Sequence, residues 1–191
     1  MVLRPSQLHV SRRLARTIRQ RRFEVRLDTA CRAVIEGCAT VRRRDEDGTW
    51  ITPAMLDAYS ALHEAGYVHS AETWRDGELV GGLYGVSLGG AFIGESMFAR
   101  TSDASKLALV ALVGQLERWG ILLFDAQVHT AHVARFGARP WPRSRYLAAL
   151  HAALARPTRH EKWSFDDEVL PDAIFRSRDA PGTIRAGATD G

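Results

Sequence analysis

Cysteine is scarce and poorly placed to staple the chain. The only two, Cys31 and Cys38, lie seven residues apart in the helix-like stretch 31-CRAVIEGCA-39. About two helical turns separate them along the axis, too far for a relaxed disulfide. With CxxC and mixed Cys/His zinc spacings also missing, reduced core thiols in a cytosolic protein are expected. No apolar run approaches the ~20 residues that cross a bilayer, and the opening MVLRPSQLHV lacks the apolar block of a secretory signal. A soluble, cytoplasmic protein is therefore expected. P-loop, GxGxxG, GxSxG and HExxH patterns are all missing. His129 and His132 have no nearby acid or Cys to complete a metal site, so no metal or redox cofactor is expected. Acids are almost missing from one region: between Arg4 and Arg26 only Glu24 stands against eight arginines, with no lysine.

The remaining composition is that of an ordinary globular chain. Its 191 residues fit one domain with appendages, with 46% hydrophobic and 25% charged residues. The net charge of +4 matters less than its placement. In 11-SRRLARTIRQRR-22, Arg12, Arg16 and Arg19 form one stripe while Val10, Leu14 and Ile18 form another, with Ser11 as N-cap. A solvated charged face would look the same. Guanidinium-only composition favours a phosphate-bearing nucleic acid, because guanidinium grips phosphate with two parallel hydrogen bonds.

The rest of the pattern predicts an α+β fold. A short strand over 23–28 and a helix over 29–39 precede the charged loop 40–48. Thr52 as N-cap, Pro53 at the first helical position and Gly66 past the end mark a helix, with Met55, Leu56, Tyr59 and Leu62 as its apolar stripe. Residues 67–98 read as an antiparallel meander turning at Asp76-Gly77 and Gly89-Gly90. A long apolar helix from 102 stops at Gly120, followed by the buried strand 121-ILLF-124. A helix over 129–137, a proline-broken loop over 138–145, and a closing helix or strand from Tyr146 complete the core. From Pro157 the periodicity fails, and 157–191 is expected to be an irregular, largely mobile tail to a domain spanning 1–156.

Three polar residues stand out. Asp125 ends a buried strand, where α/β-type sheets place ligand-contacting groups, and Gln127 would project to the same face of an extended chain. Glu95 interrupts the apolar run 92-FIGESMF-98 at the end of another strand. An Asp beside a Gln amide could orient an amine nucleophile. The structural alternative is that Asp125 caps the next helix and Gln127 satisfies a carbonyl, and on residues alone that alternative is the stronger expectation.

Several strings in order change that balance. 9-HVSRRL-14, 48-GTWIT-52, 62-LHEAGYVHSAETWRDGELVGGLYGV-86, 92-FIGESMFARTSDASK-106 and 124-FDAQ-127 closely resemble the leucyl/phenylalanyl-tRNA–protein transferase family, collinearly from about His9 to Leu150. The resemblance implies a GNAT-like main domain, with an antiparallel or mixed central sheet flanked by helices. It implies transfer of Leu or Phe from its aminoacyl-tRNA to proteins with N-terminal Arg or Lys, marking them for the bacterial N-degron pathway. No cofactor is implied, and a monomer is expected.

By the same resemblance Asp125 and Gln127 match the catalytic pair and Glu95 a substrate-binding acid. Trp50 and Tyr59 match residues at the tRNA 3′ end. Leu83, Phe92, Gly94, Met97, Leu109 and Phe124 match or flank the apolar pocket for the donor side chain. Arg12, Arg16 and Arg19 match the basic helix on the tRNA acceptor stem. Family members usually carry a smaller N-terminal domain with a Trp-rich, WWSP-like segment, and no such string occurs in this chain. A non-catalytic tRNA-binding remnant is the alternative, and a coenzyme A-dependent GNAT acetyltransferase a weaker third.

Overall fold

The computed structural model describes residues 1–40 and 49–166. The charged segment 41–48 and the chain from 167 onward lie outside the described residues, so the expectations for them go unreported. Six strands form one mixed sheet in the order β1-β6-β5-β4-β3-β2. They are β1 (Val2–Leu3), β2 (Glu24–Leu27), β3 (Val68–Arg75), β4 (Glu78–Leu88), β5 (Ala91–Ala99) and β6 (Leu123–Asp125). Every neighbouring pair is antiparallel except β5 and β6, which run parallel. The helices are α1 (Arg12–Arg19), α2 (Cys31–Thr40), α3 (Pro53–Glu64), α4 (Ala104–Arg118), α5 (Ala131–Ala134) and α6 (Arg143–Leu154). The α+β class and the helix-flanked mixed sheet are as expected and compatible with a GNAT-like fold.

Local chemistry sets these boundaries. Ser11 and Thr52 accept hydrogen bonds from the amides of Leu14 and Met55, each satisfying an amide that the first helical turn leaves unpaired. Gly66 and Gly120 end α3 and α4 with positive φ (75° and 73°) that a side chain would resist. The Asp76-Gly77 turn has positive φ at both residues (52° and 79°), as a tight hairpin requires. Four expectations need correction. β1 was not anticipated, being only two residues long. The helix expected over 129–137 shrinks to α5, because Gly137 takes a φ of 98°. The helix closing the core begins at Arg143, inside the expected loop, once Pro142 has fixed the entry. Leu62 points outward, 41% exposed, so the α3 stripe narrows to half-buried Met55, Leu56 and Tyr59.

Each face of the sheet has its own cover. Cross-strand partners share a face, so Leu83, Gly85 and their β5 partners can be sorted by register. One face lies under α4: a Cβ on Gly81 would meet Ala104 at 2.6 Å. The opposite face lies under α2: a Cβ on Gly82 would meet Val34 at 3.1 Å. Helix α4 is sealed, with Leu107, Val110, Leu112, Val113 and Leu116 at most 2% exposed. α1 adds Leu14, Ala15 and Ile18 to the same core. Burying a side chain of this size contributes roughly 1.5–3 kcal/mol, which explains how a short arginine-rich helix is held down. Cys31 and Cys38 are buried free thiols beneath the sheet. Burial pushes the Cys31 thiol up to about 12.

The segment after Pro157 contains no helix or strand through residue 166, but its described part is fastened to the sheet. The Trp163 ring stacks on His69 with centroids 3.7 Å apart, and its backbone N–H donates to Asp28 Oδ2 at 2.8 Å. Asp28 Oδ2 also receives His69 Nδ1 at 2.7 Å, and its Oδ1 receives the Ser70 amide at 2.8 Å. Asp28, His69 and Trp163 are each at most 2% exposed. Mobility of this stretch, expected from its lost periodicity, gives way to one large aromatic filling a socket. Among the described residues no helix is long and apolar enough to cross a membrane.

Candidate active site

The site forms where β5 and β6 part. Their pairing runs from Ala91↔Leu123 to Ile93↔Asp125 and stops. Beyond it Gln127 takes the place of a strand: its Nε2 donates to the Gly94 carbonyl at 2.9 Å and to Glu95 Oε2 at 3.3 Å. Because a carbonyl can only accept, these contacts fix which end of the amide faces β5.

Glu95 occupies an irregular position for a physical reason. The β4–β5 register passes from Gly85↔Gly94 to Tyr84↔Ser96, so Glu95 is an extra residue, a β-bulge. Bulges re-aim side chains and end regular pairing, and they are common beside active sites. A Cβ on Gly85 would meet the Ile93 carbonyl at 2.2 Å, so the kinked strand closes on β4 only over glycine. Glu95 is half-buried and faces Tyr59. The Tyr59 phenol is pushed up to about 12, chiefly by burial and then by the charge and hydrogen bonding of Glu95. Tyr59 meets Trp50 edge-on at 6.3 Å and Tyr84 at 5.3 Å. Tyr84 is fully buried, and burial drives its phenol well above the usual range.

On the other side of Glu95 stands the Asp125–Gln127 pair. Asp125 Oδ1 accepts the Gln127 amide at 2.7 Å, and Oδ2 accepts the Tyr146 hydroxyl at 2.8 Å. The extended geometry expected between the pair does not occur. Gln127 has a φ of 57°, the left-handed region, and the chain turns there. Asp125 does not cap a helix: α5 is capped by Thr130, whose hydroxyl accepts the Val133 amide at 3.3 Å. The two residues meet through a local turn and a shared approach to β5. Left-handed backbone at a non-glycine residue costs about 1–2 kcal/mol, and such strain clusters at functional sites.

Tyr146 escaped sequence reading, since its contact spans a proline-broken loop. A cavity of about 380 Å³ opens beside Asp125, Gln127, Trp141 and Tyr146. Contacts thus run continuously from Trp50 through Tyr59, Glu95, Gln127 and Asp125 to Tyr146.

The expected apolar residues gather on the α4 side. Leu83, Phe92, Leu109 and Phe124 are at most 3% exposed in one core cluster, with Met97 half-buried against it. Phe92 and Phe124 stack at 5.4 Å. A Cβ on Gly94 would meet the Phe124 ring at 2.8 Å. Leu83, Phe92, Gly94 and Met97 share this face because the bulge shifts the alternation by one. Arg12, Arg16 and Arg19 lie apart from this assembly, exposed along α1. Among the described residues no cluster of His, Cys, Asp and Glu could hold a metal ion.

Comparison with known proteins agrees with this arrangement. The family described as leucyl/phenylalanyl-tRNA protein transferase matches residues 2–151. A leucyl/phenylalanyl-tRNA–protein transferase of Myxococcus xanthus is 55% identical over 163 residues, covering 85% of this chain and 70% of the relative. Proteins of the same description from Alkalilimnicola ehrlichii and an Anaeromyxobacter species are each 55% identical, covering 92% and 87% of this chain and 68% and 71% of the relatives. With a six-stranded mixed sheet and an acid–amide pair at its parting strands, the chain belongs to the leucyl/phenylalanyl-tRNA protein transferase family.

Proposed function

We propose that this protein is an aminoacyltransferase that moves leucine or phenylalanine from its tRNA to the α-amine of an N-terminal Arg or Lys, in the service of N-degron proteolysis. The observation that carries the reading is the fixed Asp125–Gln127 pair facing Glu95 where β5 and β6 separate. Asp125 accepts a proton or hydrogen bond from the acceptor amine, and the Gln127 carbonyl oxygen orients it. An α-amine titrates near pH 8 (about 7.7–8.0), so a weak base suffices. The amine nitrogen attacks the ester carbonyl carbon. An amide C–N bond forms, the C–O bond to the tRNA ribose breaks, and the amine's proton ends on the ribose hydroxyl.

Binding follows the same geometry. Leu83, Phe92, Gly94, Met97, Leu109 and Phe124 accommodate the donor's apolar side chain by desolvation, which separates large from small groups but distinguishes single methylenes weakly. Glu95 holds a cationic amine of donor or acceptor. The exposed Trp50 and its neighbour Tyr59 provide an aromatic face for the terminal adenine. Arg12, Arg16 and Arg19 bind acceptor-stem phosphates. The protein acts as a cytoplasmic monomer.

Incubation with radiolabelled leucyl-tRNA and a substrate bearing N-terminal arginine tests the proposal. Label should pass to the substrate and fall sharply in Asp125→Ala. Binding of tRNA without transfer would instead support a non-catalytic remnant.

A further inference from the structure

A second cavity, of about 450 Å³, lies apart from the acid–amide pair, between α1, α4 and α5. Its volume is in the range of ordinary ligand sites. Arg13 reaches it from α1, Lys106 from the start of α4, and Arg135 from the end of α5, with His9, His132 and Asp103 completing the charged lining. Its walls are joined by the His9 amide, which donates to the Phe136 carbonyl at 2.9 Å. The single acid is already engaged: Asp103 Oδ1 pairs with Lys106 Nζ at 2.5 Å. That pairing leaves two guanidiniums in excess and two further ammonium hydrogens on Lys106.

His132 adds an independent sign of an anionic occupant. Its Nε2 is buried with no hydrogen-bond partner among the described residues, a condition that native structures rarely leave unmet. Burial lowers its pKa, and the charges of Lys106 and Arg135 lower it further. Positive potential therefore converges on the cavity from two elements. The position also fits: α4 follows the end of β5 and α5 follows the end of β6, so the cavity adjoins the strand ends that carry Glu95 and Asp125.

We propose that this cavity is a phosphate subsite for the 3′ strand of the tRNA donor, with Arg13 and Arg135 as its clamp. The inference rests on the transferase reading above and extends it beyond the exposed arginine row of α1. Guanidinium pairs suit a phosphodiester, which presents two equivalent oxygens for parallel hydrogen bonds. Filling the subsite fixes how far the strand can run before its last ribose reaches the β5–β6 opening.

Binding of full-length protein to an aminoacylated acceptor-stem RNA, measured as a function of salt, tests the subsite. Arg13→Gln and Arg135→Gln should each weaken binding by about tenfold and lower the log–log salt slope by roughly 0.7–0.9. Arg75→Gln, at an exposed hairpin, serves as the control and should change neither. Methylphosphonate linkages scanned along the 3′ strand should reveal one position whose neutralisation costs the wild type affinity but costs Arg135→Gln nothing. Thermal denaturation identifies any variant that fails to fold, in which case Arg135→Lys, keeping charge without the fork, should show an intermediate loss. Unchanged affinity and slope in folded variants, while the wild type still transfers leucine, would overturn the subsite alone. Competition by an acidic peptide that depends on Arg13 and Arg135, with RNA binding unaffected, would also overturn it. A wild type that neither binds RNA nor transfers would instead remove the transferase reading.

Discussion

The Tyr146 hydroxyl donates to Asp125 Oδ2 at 2.8 Å, so the carboxylate is gripped from α6 as well as by its own turn. Tyr146→Phe removes that donor and leaves the Gln127 amide contact. The transfer rate should fall by about tenfold with KM for aminoacyl-tRNA nearly unchanged, the pattern of lost orientation rather than lost binding. The phenol is pushed up to about 12, chiefly by burial and then by the Asp125 hydrogen bond and charge. A raised phenol contributes stability that is present below its unfolded value, about 10. That contribution is lost as pH rises through the folded value. Ultraviolet titration of phenolate formation in wild type and variant checks the assignment.

Gln127 is strained where it acts. Gln127→Gly should relieve the positive φ while losing the side chain's bonds to Gly94 and Glu95. Each effect is about 1 kcal/mol and they oppose. The melting temperature should therefore move by no more than about 4 °C. Transfer should nevertheless fall by about 100-fold or more, within the range expected for a positioned acid–base partner. A large loss of stability with activity intact would contradict the role given to this residue.

Trp163 should prove structural despite its place in an aperiodic segment. Trp163→Ala removes the ring stacked on His69 and opens a large cavity against Phe92 and Trp119. Urea denaturation should register a loss of about 3–5 kcal/mol. Limited proteolysis should then cut within 157–166 in the variant well before the wild type.

Glu72 offers a pH signature. It is fully buried, and burial raises its pKa above 4.5, opposed by hydrogen bonds from Ser70 and Thr29. The folded protein thus holds this proton more tightly than the unfolded chain. The stability it contributes is present below pH 4.5 and is lost as pH rises through the folded value. Glu72→Gln should flatten that part of the pH–stability curve, measured by urea unfolding at a series of pH values between about 4 and 7.

How much of this was readable in the sequence depends on the range of each interaction. Caps such as Ser11 and Thr52 and the Asp76-Gly77 turn act over three or four residues, so the residues themselves announce them. Asp125 and Gln127 were identifiable by position, but their geometry was not. A single left-handed residue replaces the assumed extended chain, and nothing in FDAQ demands it. Tyr146 meets Asp125 across a loop with two prolines, and Trp163 meets Asp28 across most of the domain. Such contacts leave no period in the sequence. The one available signal at Trp163 was an isolated large aromatic among polar residues, which rarely stays in solvent.

The bulge at Glu95 couples two properties that look independent. Deleting Glu95 would do more than remove an acid. Regular pleating would resume, and Ser96 to Ala99 would each turn through half a revolution. Met97 would leave the α4 side for α2, and Phe98 would lose its place against Gly37. Charge and pocket wall are thus encoded as a single reading frame within the strand. A descendant of this chain can exchange the residue at 95, but cannot drop it without dismantling the apolar face beside it.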